Sequence, residues 1–258
     1  MRLSKFGLIG YPLEHSFSKS YYLEKFEREG IHHVEYDLFP LRQIEEFPDL
    51  LDDTPHLLGV NVTIPYKIEV MKYLDELSPE AEAIGAVNCI RIERAENGGI
   101  RMKGFNTDVY GFEQSLRPLL SNWHQQALVL GNGGAARAVC FALDKLDIAW
   151  NLVSRNPLGD LPNQLGYPDL DQKILDQHLL IINTTPLGTF PQIEQAPAIP
   201  YELLGEKHLL YDLIYNPSET TFLRKGKMRG AVVKNGYEML VLQAEKNWEI
   251  WTADNGKL

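Results

Sequence analysis

The feature that most constrains the fold is an apolar run that ends in a glycine-rich turn and continues into helix-forming residues. It is Ala127–Arg137, with the sequence A-L-V-L-G-N-G-G-A-A-R. A strand, such a turn and a helix together hold the phosphates of a dinucleotide. Gly131 permits the tight turn, Gly133 removes a side chain where backbone must approach a pyrophosphate, and Ala136 is small where helix packs on strand. The spacing therefore predicts a Rossmann-type, dinucleotide-binding domain.

The next predicted strand indicates which dinucleotide binds. Ala149–Val153 is apolar and β-prone, and Ser154, Arg155 and Asn156 follow it, about twenty residues beyond the glycines. NAD-binding domains usually carry an Asp or Glu here, which accepts hydrogen bonds from the adenosine ribose. An acidic residue would repel a 2′-phosphate, whereas Arg155 can bind one through paired, charged hydrogen bonds. We therefore predict NADP(H) as the cofactor; a surface arginine, or one that stacks on adenosine, is the alternative interpretation.

Composition and charge limit the class of protein. The chain has 258 residues, enough for two domains, and its 44% hydrophobic and 23% charged content is that of ordinary soluble proteins. Its net charge of −10, without a basic run, predicts no binding to nucleic acid. No stretch has the roughly 20 apolar residues that cross a bilayer, the first residues do not resemble a secretion signal, and two cysteines cannot form a disulfide framework. We expect a cytoplasmic protein with no membrane contact, and the scattered histidines predict no metal site.

Strand-like and helix-like segments alternate along the whole chain, which predicts an α/β fold. The predicted strands are Phe6–Ile9, Val34–Phe39, Leu57–Val62, Ala86–Ile92, Ile100–Phe105, the run before the glycine turn, Ala149–Val153, Leu179–Asn183 and Leu209–Leu213. The predicted helices are Ser18–Glu29 (closed by Gly30), Leu41–Leu51, Lys67–Leu74, Val109–Leu120 and Tyr237–Trp251. A turn at 96–99 is predicted to join two of the strands.

Short motifs also occur in a characteristic order from one end of the chain to the other. They read I-G-Y-P at 9–12, H-S-F-S at 15–18, N-V-T-I-P-Y-K at 61–67, G-A-V-N at 85–88, N-T-D at 106–108, G-N-G-G-A-A-R at 131–137, N-T-T-P-L-G at 183–188, Y-D-L-I-Y at 211–215 and N-G-Y-E-M-L-V-L-Q-A at 235–244. In this series the chain resembles the shikimate dehydrogenase family over nearly its whole length.

The resemblance implies an activity and a domain plan. The activity is hydride transfer from NADPH to the ring ketone of 3-dehydroshikimate, which gives shikimate, a step towards chorismate and the aromatic amino acids. The plan is an N-terminal α/β substrate-binding domain, residues 1–107 with 237–258, and a Rossmann-type NADP-binding domain, residues 108–236, flanking a cleft. Both a monomer and a homodimer are compatible with it.

The resemblance also implies the residues that bind substrate and cofactor. The substrate is a cyclohexene carboxylate with several hydroxyls, and each buried hydroxyl without a partner costs about 1–3 kcal/mol, so a dense polar set is needed. That set is Ser16, Ser18 and Tyr215 at the carboxylate, Asn61, Lys67, Asn88, Asp108 and Gln243 at the ring hydroxyls, and Thr63 beside them. The cofactor set is Gly131, Asn132, Gly133, Gly134 and Ala135 at the pyrophosphate, where a helix N-terminus favours anions, Ser154, Arg155 and Asn156 at the adenosine phosphate, and Thr184, Leu213 and Gly236 along the nicotinamide half. Turn capping is the alternative for Asn61, Thr63 and Asn88.

Lys67 and Asp108 are the predicted catalytic pair. Hydride addition to a ketone leaves an alkoxide, so a proton must reach the oxygen. A cationic Lys67 can stabilise the developing charge and donate that proton, while Asp108 can orient the ammonium group and hydrogen-bond the neighbouring hydroxyl. Which of the two formally transfers the proton stays open, and a surface lysine after Pro65 is the alternative for Lys67.

The chain departs from the family pattern at two places, and three other functions are weighed against the first. Lys19 stands where many members have proline, and no second arginine follows Arg155, while Asp160 would weaken a preference for NADP if it faced the phosphate. The competing functions are a quinate/shikimate dehydrogenase, a catalytically silent NADP-binding regulator and a folate-type dehydrogenase. The presence of Lys67 and Asp108 argues against the regulator, and the complete polar set argues against the folate enzyme.

Overall fold

The structure is a computed structural model that describes residues 3–13, 16–95, 98–157 and 163–253. His15 of the H-S-F-S motif, the first half of the predicted turn at 96–99, and Asp160 lie outside the described residues. The chain divides into two compact units. The first unit is Met1–Thr107 with Ala244–Leu258, and the second unit is Asp108–Gln243.

Strands and helices alternate, as the sequence predicts. The strands are β1 (Ser4–Gly10), β2 (Val34–Pro40), β3 (Leu57–Val62), β4 (Glu76–Leu77), β5 (Cys89–Arg94), β6 (Ile100–Phe105), β7 (Gln126–Leu130), β8 (Ala149–Ser154), β9 (Gln164–Gly166), β10 (Leu180–Asn183), β11 (Leu209–Asp212) and β12 (Val232–Lys234). The α-helices are α1 (Phe17–Glu29), α2 (Phe47–Asp53), α3 (Pro79–Ile84), α4 (Asp108–Leu116), α5 (Gly134–Lys145), α6 (Gln172–Gln177), α7 (Thr221–Lys227) and α8 (Tyr237–Thr252). Short 3₁₀ helices lie at Ile44–Glu46, Glu69–Tyr73, Arg117–Leu119, Tyr167–Asp169 and Tyr201–Leu203.

The first unit is built on a mixed six-stranded sheet in the order β2-β1-β3-β5-β6-β4. β1 pairs in parallel with β2 and β3, while β5 pairs antiparallel with both β3 and β6. Because successive side chains of a strand point to opposite faces, β1 contributes to two separate cores. Phe6 and Leu8 pack in a cluster with Tyr22 and Trp251, whereas Ile9 enters a cluster on β3 and the segments after it.

The second unit is built on six parallel strands in the order β12-β11-β10-β7-β8-β9. From β7 the next strands in sequence, β8 and β9, continue to one edge of the sheet. The chain then returns to the other side of β7, where β10, β11 and β12 continue to the opposite edge. That is the doubly wound arrangement of dinucleotide-binding domains, whose ligands bind at the carboxyl ends of the strands where the order reverses. The Rossmann-type, α/β prediction is therefore confirmed.

The prediction of a helix over Lys67–Leu74 is wrong in type. Residues 64–68 form turns, and only Glu69–Tyr73 is helical, as a 3₁₀ helix. The carbonyl of Lys67 accepts a hydrogen bond from the backbone N–H of Val87 at 2.7 Å, while the N–H of Met71 donates to Ile68. The carbonyl that would begin an α-helix is thus engaged with a distant segment, which no local pattern reports.

Prolines explain two further differences from the predicted helices. Leu41–Leu51 divides into a 3₁₀ turn and α2, with Pro48 in the first turn of α2. The predicted Val109–Leu120 ends as α4 at Leu116 and continues as the 3₁₀ helix that contains Pro118. Proline lacks the N–H of an interior helical bond, so it starts a new helix rather than continuing one. No helix in the described residues is both long enough and apolar enough to span a membrane.

Candidate active site

The glycine-rich turn lies at the carboxyl end of β7 and leads directly into α5. Gly131 has a φ of 110°, in the region that favours glycine, and its N–H donates to the carbonyl of Val153 in β8 at 2.8 Å. A Cβ atom at Gly131 would lie 2.8 Å from Oγ1 of Thr184, which in turn donates to the carbonyl of Leu130 at 2.7 Å. The turn is therefore held between the ends of β8 and β10, and only glycine fits there.

A pocket of about 430 Å³ opens beside this turn, at the carboxyl ends of the parallel strands. It is lined by Gly131, Asn132, Gly133, Val153, Ser154, Arg155, Tyr167, Thr184, Thr185, Pro186, Leu187, Ala196 and Ala198. Six of the predicted cofactor residues are thus brought together: Gly131, Asn132, Gly133, Ser154, Arg155 and Thr184. The location is the one at which doubly wound sheets bind their ligands.

The other predicted cofactor residues do not line this pocket. Gly134 and Ala135 form the first turn of α5, and Asn156 is exposed just beyond β8. Leu213 and Gly236 lie together near the ends of β11 and β12, where a Cβ atom at Gly236 would come within 2.0 Å of the Leu213 carbonyl oxygen. Their close approach explains why a glycine is needed at position 236, whether or not a ligand reaches it.

The surface of the pocket fits an anionic dinucleotide. Cβ atoms placed on Gly133 and Gly134 would meet no protein atom within 4 Å, so the backbone ahead of α5 is open to a ligand. The Oγ atom of Ser154 is buried, yet it has no hydrogen-bond partner among the described residues. Arg155 beside it is exposed and cationic. A phosphate oxygen would supply the missing partner of Ser154 and a counter-charge for Arg155.

A buried carboxyl group supports the loop that forms one wall of the pocket. Asp212, at the end of β11, accepts hydrogen bonds from Nδ2 of Asn183 at 3.0 Å and from Oγ1 of Thr220 at 2.6 Å. Asn183 in turn accepts, on Oδ1, the N–H and the hydroxyl of Thr185 at 3.0 and 2.6 Å. Burial raises the pKa of Asp212 to about 6, although the hydrogen bonds from Thr220, Ile214 and Asn183 oppose that rise.

Several lining residues were missed by sequence reasoning. Tyr167 follows β9, a three-residue strand too short to give a periodic signal, so its place at the carboxyl edge was not predicted. Thr185, Pro186 and Leu187 belong to the N-T-T-P-L-G motif and could have been found from it. Ala196 and Ala198 carry no sequence signal.

In the first unit, the predicted substrate residues Asn61 and Asn88 are buried and hydrogen-bonded. Oδ1 of Asn61 accepts from the hydroxyl of Tyr36 at 2.8 Å, and its Nδ2 donates to the carbonyl of Asn88 at 3.4 Å. The Asn88 side chain accepts the N–H of Thr107 at 2.8 Å and donates to its Oγ1 at 3.0 Å, and that hydroxyl contacts Oδ1 of Asn247 at 2.6 Å. The Asn88 side chain thus joins its strand to Thr107, 19 residues further along the chain, and through Thr107 to Asn247.

The two predicted serines lie at the start of α1. Ser16 precedes the helix but its side chain makes no capping bond, and its buried Oγ has no hydrogen-bond partner among the described residues. Ser18 lies in the first turn of α1 and is half-buried. Thr63, half-buried just beyond β3, is tied by its N–H to the carbonyl of Ile9 at 3.0 Å. Among the predicted substrate residues that the structure describes, Ser16 is thus the one whose buried hydroxyl has no partner.

The remaining predicted site residues are divided between the two units. Lys67 is half-buried in the turn after β3 and belongs to the first unit. Asp108 is the first residue of α4 and is half-buried; Gln243 is buried in α8, and Tyr215 is half-buried with its pKa raised by burial. These last three belong to the second unit. Across the described ranges, no three His, Cys, Asp or Glu side chains are grouped as metal ligands.

Comparison with known proteins gives consistent matches along the chain. The family model of the shikimate dehydrogenase substrate binding domain matches residues 8–90. A shikimate dehydrogenase (NADP(+)) of Methanococcus aeolicus is 37% identical over 259 residues, which cover 95% of this chain and 91% of the relative. A shikimate 5-dehydrogenase of Thermus thermophilus, solved in complex with NADP(H) and shikimate, has a TM-score of 0.83 and 32% identity, covering 97% of this chain and 94% of that one. One from Listeria monocytogenes, solved with shikimate and NAD, has a TM-score of 0.82 and 26% identity, covering 97% and 92%.

Proposed function

This chain belongs to the shikimate dehydrogenase family, and we propose that it catalyses the reversible, NADPH-dependent reduction of 3-dehydroshikimate to shikimate, on the route to chorismate and the aromatic amino acids. The observation that carries the proposal is that the similarity to an NADP-dependent relative spans 95% of the chain. It therefore includes both the polar network of the first unit and the pocket of the second, and neither function has to be inferred from one motif alone.

NADP(H) is the cofactor we assign to the pocket at the carboxyl edge of the second sheet. When bound there, NADPH supplies the hydride that adds to the ketone carbon. Arg155 and the unpartnered hydroxyl of Ser154 would hold the 2′-phosphate, with Asn156 beside them. The open backbone from Gly131 to Ala135 would hold the pyrophosphate at the start of α5, where backbone N–H groups point at a ligand. Thr184, Leu213 and Gly236 are proposed along the nicotinamide half.

The polar side chains of the predicted substrate set are proposed to bind the substrate. Since the net charge of −10 gives an anionic substrate no long-range attraction, short-range groups must hold its carboxylate. We assign Ser16, Ser18 and Tyr215 to that carboxylate. The ring hydroxyls are assigned to Asn61, Thr63, Lys67, Asn88, Asp108 and Gln243.

Lys67 and Asp108 are the proposed acid–base pair. As hydride reaches the carbonyl carbon, negative charge develops on the carbonyl oxygen, and the ammonium group of Lys67 donates a proton to it. Asp108 would orient that ammonium group and accept a hydrogen bond from the neighbouring ring hydroxyl. In the reverse direction a neutral Lys67 would take the proton back from the C–OH group as hydride leaves the carbon.

We also propose the roles of the two domains and the setting of the enzyme. We assign substrate binding to residues 1–107 with 237–258 and NADP binding to residues 108–236. The composition supports a cytoplasmic enzyme that acts on small molecules, without nucleic acid, as a monomer or a homodimer. The charge of −10 is the observation behind the exclusion of nucleic acid.

The test is consumption of NADPH with 3-dehydroshikimate, followed by the absorbance of reduced nicotinamide and run beside NADH. Lys67→Ala should lower turnover by about 10²–10⁴, the span of a lost acid–base group, with smaller changes in the Michaelis constants. Lys72→Ala is the matched control, because Lys72 lies in the same segment but is exposed and paired with Glu45. Near-normal turnover of the Lys67 variant would reject its role.

Each competing function predicts a different outcome of the same assay. Folded protein that binds NADPH but reduces nothing would indicate a silent regulator. Oxidation of quinate as fast as that of shikimate would indicate a quinate/shikimate dehydrogenase. A lower Michaelis constant for NADH than for NADPH would reject the assignment of Arg155 to a 2′-phosphate.

A further inference from the structure

A buried tyrosine hydroxyl holds one of the residues proposed to bind substrate. Tyr36 in β2 is 1% exposed, and its hydroxyl donates to Oδ1 of Asn61 at 2.8 Å. The amide that is proposed at a ring hydroxyl is therefore held by a side chain that lies behind it.

The protonation state of Tyr36 sets the direction of this bond. Burial raises the pKa of Tyr36 well above its usual range. The phenol therefore keeps its proton and donates it to Oδ1 of Asn61. With Oδ1 taken by this donor, the Nδ2 group of Asn61 must lie on the other side, where it donates to the carbonyl of Asn88 at 3.4 Å. An amide nitrogen carries two hydrogens. The bond from Tyr36 to Oδ1, which fixes the orientation of the amide, therefore also fixes the direction of the second N–H.

The ring of Tyr36 is held too firmly to adapt. It stacks on the ring of Tyr22 with centroids 4.5 Å apart and planes at 23°, and the indole of Trp251 lies 6.4 Å away. Tyr22 is as deeply buried as Tyr36, at 0% exposure, but its hydroxyl donates to the backbone carbonyl of Ala244 at 2.8 Å. Two stacked tyrosines thus differ in what their hydroxyl groups hold: one a backbone carbonyl, the other a proposed ligand of the substrate.

We propose that Tyr36 is a positioning residue for the substrate: its hydroxyl holds the Asn61 amide with an N–H turned towards a ring hydroxyl. The inference rests on the proposed function, because Asn61 is a substrate ligand only under it. Tyr36 itself touches no reacting atom, and its effect is on how well the pocket is arranged before the substrate arrives.

The experiment compares Tyr36→Phe with Tyr22→Phe, each of which removes one buried hydroxyl and nothing else. Calorimetric titration with shikimate alone should show binding roughly 3- to 10-fold weaker for Tyr36→Phe, the range of one lost hydrogen bond, and within about twofold of wild type for Tyr22→Phe. The unfolding temperature should fall by similar amounts in both variants, since both lose a buried hydrogen bond. In steady state, the Michaelis constant for 3-dehydroshikimate should rise in Tyr36→Phe, with kcat and the constant for NADPH nearly unchanged.

Combination with Asn61→Ala tests whether Tyr36 acts through Asn61. In that background Tyr36→Phe should weaken shikimate binding less than it does alone, because the amide it orients is gone. An equal loss in both backgrounds, or equal losses from Tyr22→Phe and Tyr36→Phe, would overturn the proposal. If wild type itself does not bind shikimate, the proposed function fails, and this result is distinct from the other two.

Asn61→Asp provides an arm that leaves Tyr36 untouched, should Tyr36→Phe not fold. The carboxylate can still accept from Tyr36, but it presents an acceptor where the amide presented a donor. Asn61→Asp should therefore weaken the binding of shikimate at least as much as Asn61→Ala does. Binding of shikimate to Asn61→Asp at wild-type strength would show that no amide N–H faces the ligand, and would overturn the proposal.

Discussion

The buried carboxyl group of Asp212 should destabilise the second unit progressively as the pH rises, and Asp212→Asn should remove that dependence. Burial raises its pKa from 3.8 to about 6. Because the folded-state pKa lies above the unfolded value, the contribution of this group to stability is fully present below about pH 3.8 and is lost as the pH rises through about 6. A shift of this size corresponds to about 3 kcal/mol in the free energy of unfolding.

Asparagine suits this position because it preserves most of the contacts. Its Oδ1 can still accept the N–H of Ile214, at 3.1 Å from the present oxygen, and the Nδ2 of Asn183. Its Nδ2 would face Oγ1 of Thr220, which can accept while it continues to accept the N–H of Leu223 at the start of α7. The geometry of the loop wall is therefore retained while the charge is removed.

The assay is urea unfolding of wild type and Asp212→Asn at steps from about pH 4 to pH 7.5, with linear extrapolation to water. Between these two pH values the difference between the two free energies of unfolding should move by about 2.5 kcal/mol in favour of the variant, because every other titrating group cancels in the difference. Asp147→Asn, an exposed aspartate of the same unit, is the control. A difference for Asp212→Asn that stays constant over this range would refute the reasoning.

Three further predictions concern the same unit. Gly133→Ala should leave the unfolding temperature unchanged, since the added methyl group would meet no protein atom within 4 Å. The same methyl group would enter the proposed pyrophosphate space, so NADPH should bind at least about tenfold more weakly. Unchanged affinity for NADPH would mean that the pyrophosphate binds elsewhere. Arg155→Gln should raise the Michaelis constant for NADPH about 10- to 100-fold and change that for NADH less, as a lost charged hydrogen bond predicts; equal changes would contradict the assignment. Nδ1 of His124 accepts the N–H of Ser121 at 3.0 Å, and burial lowers the pKa of this histidine. The stability that it contributes is therefore present above about pH 6.5 and is lost as the pH falls below that value. In urea unfolding, the free energy of unfolding should fall less between pH 7.5 and pH 5.5 for His124→Gln than for wild type.

The elements that sequence patterns predicted well depend on interactions within a few residues. Leu57–Val62 and Ile100–Phe105 are strands with the predicted bounds, and Gly30 ends α1 in the left-handed conformation, with a φ of 69°. The glycine turn after β7 is of the same kind, because a strand, a required positive φ and a helix start follow one another directly along the chain. Six of the cofactor residues predicted around it line one pocket.

Predictions failed where a distant segment competes with the local pattern. The stretch after Pro65 has helical spacing, but the N–H of Val87 takes the Lys67 carbonyl, and the segment becomes turns and a 3₁₀ helix. Tyr167 was missed for a different reason: the strand before it, β9, has three residues, too few to show a period.

The sequence by itself determined that this is an α/β chain with a dinucleotide-binding turn, an arginine in place of an acid after the next strand, and a supply of short polar side chains for a polyhydroxy ligand. Only the tertiary structure decided which of those side chains hold one another. Asn183 reaches Asp212 through the register of the adjacent parallel strands β10 and β11, whereas Tyr36 in β2 reaches Asn61 in β3 across β1, which lies between them. The physical reason is that local patterns encode backbone conformation, whereas the partner of a buried polar atom depends on which strands lie side by side.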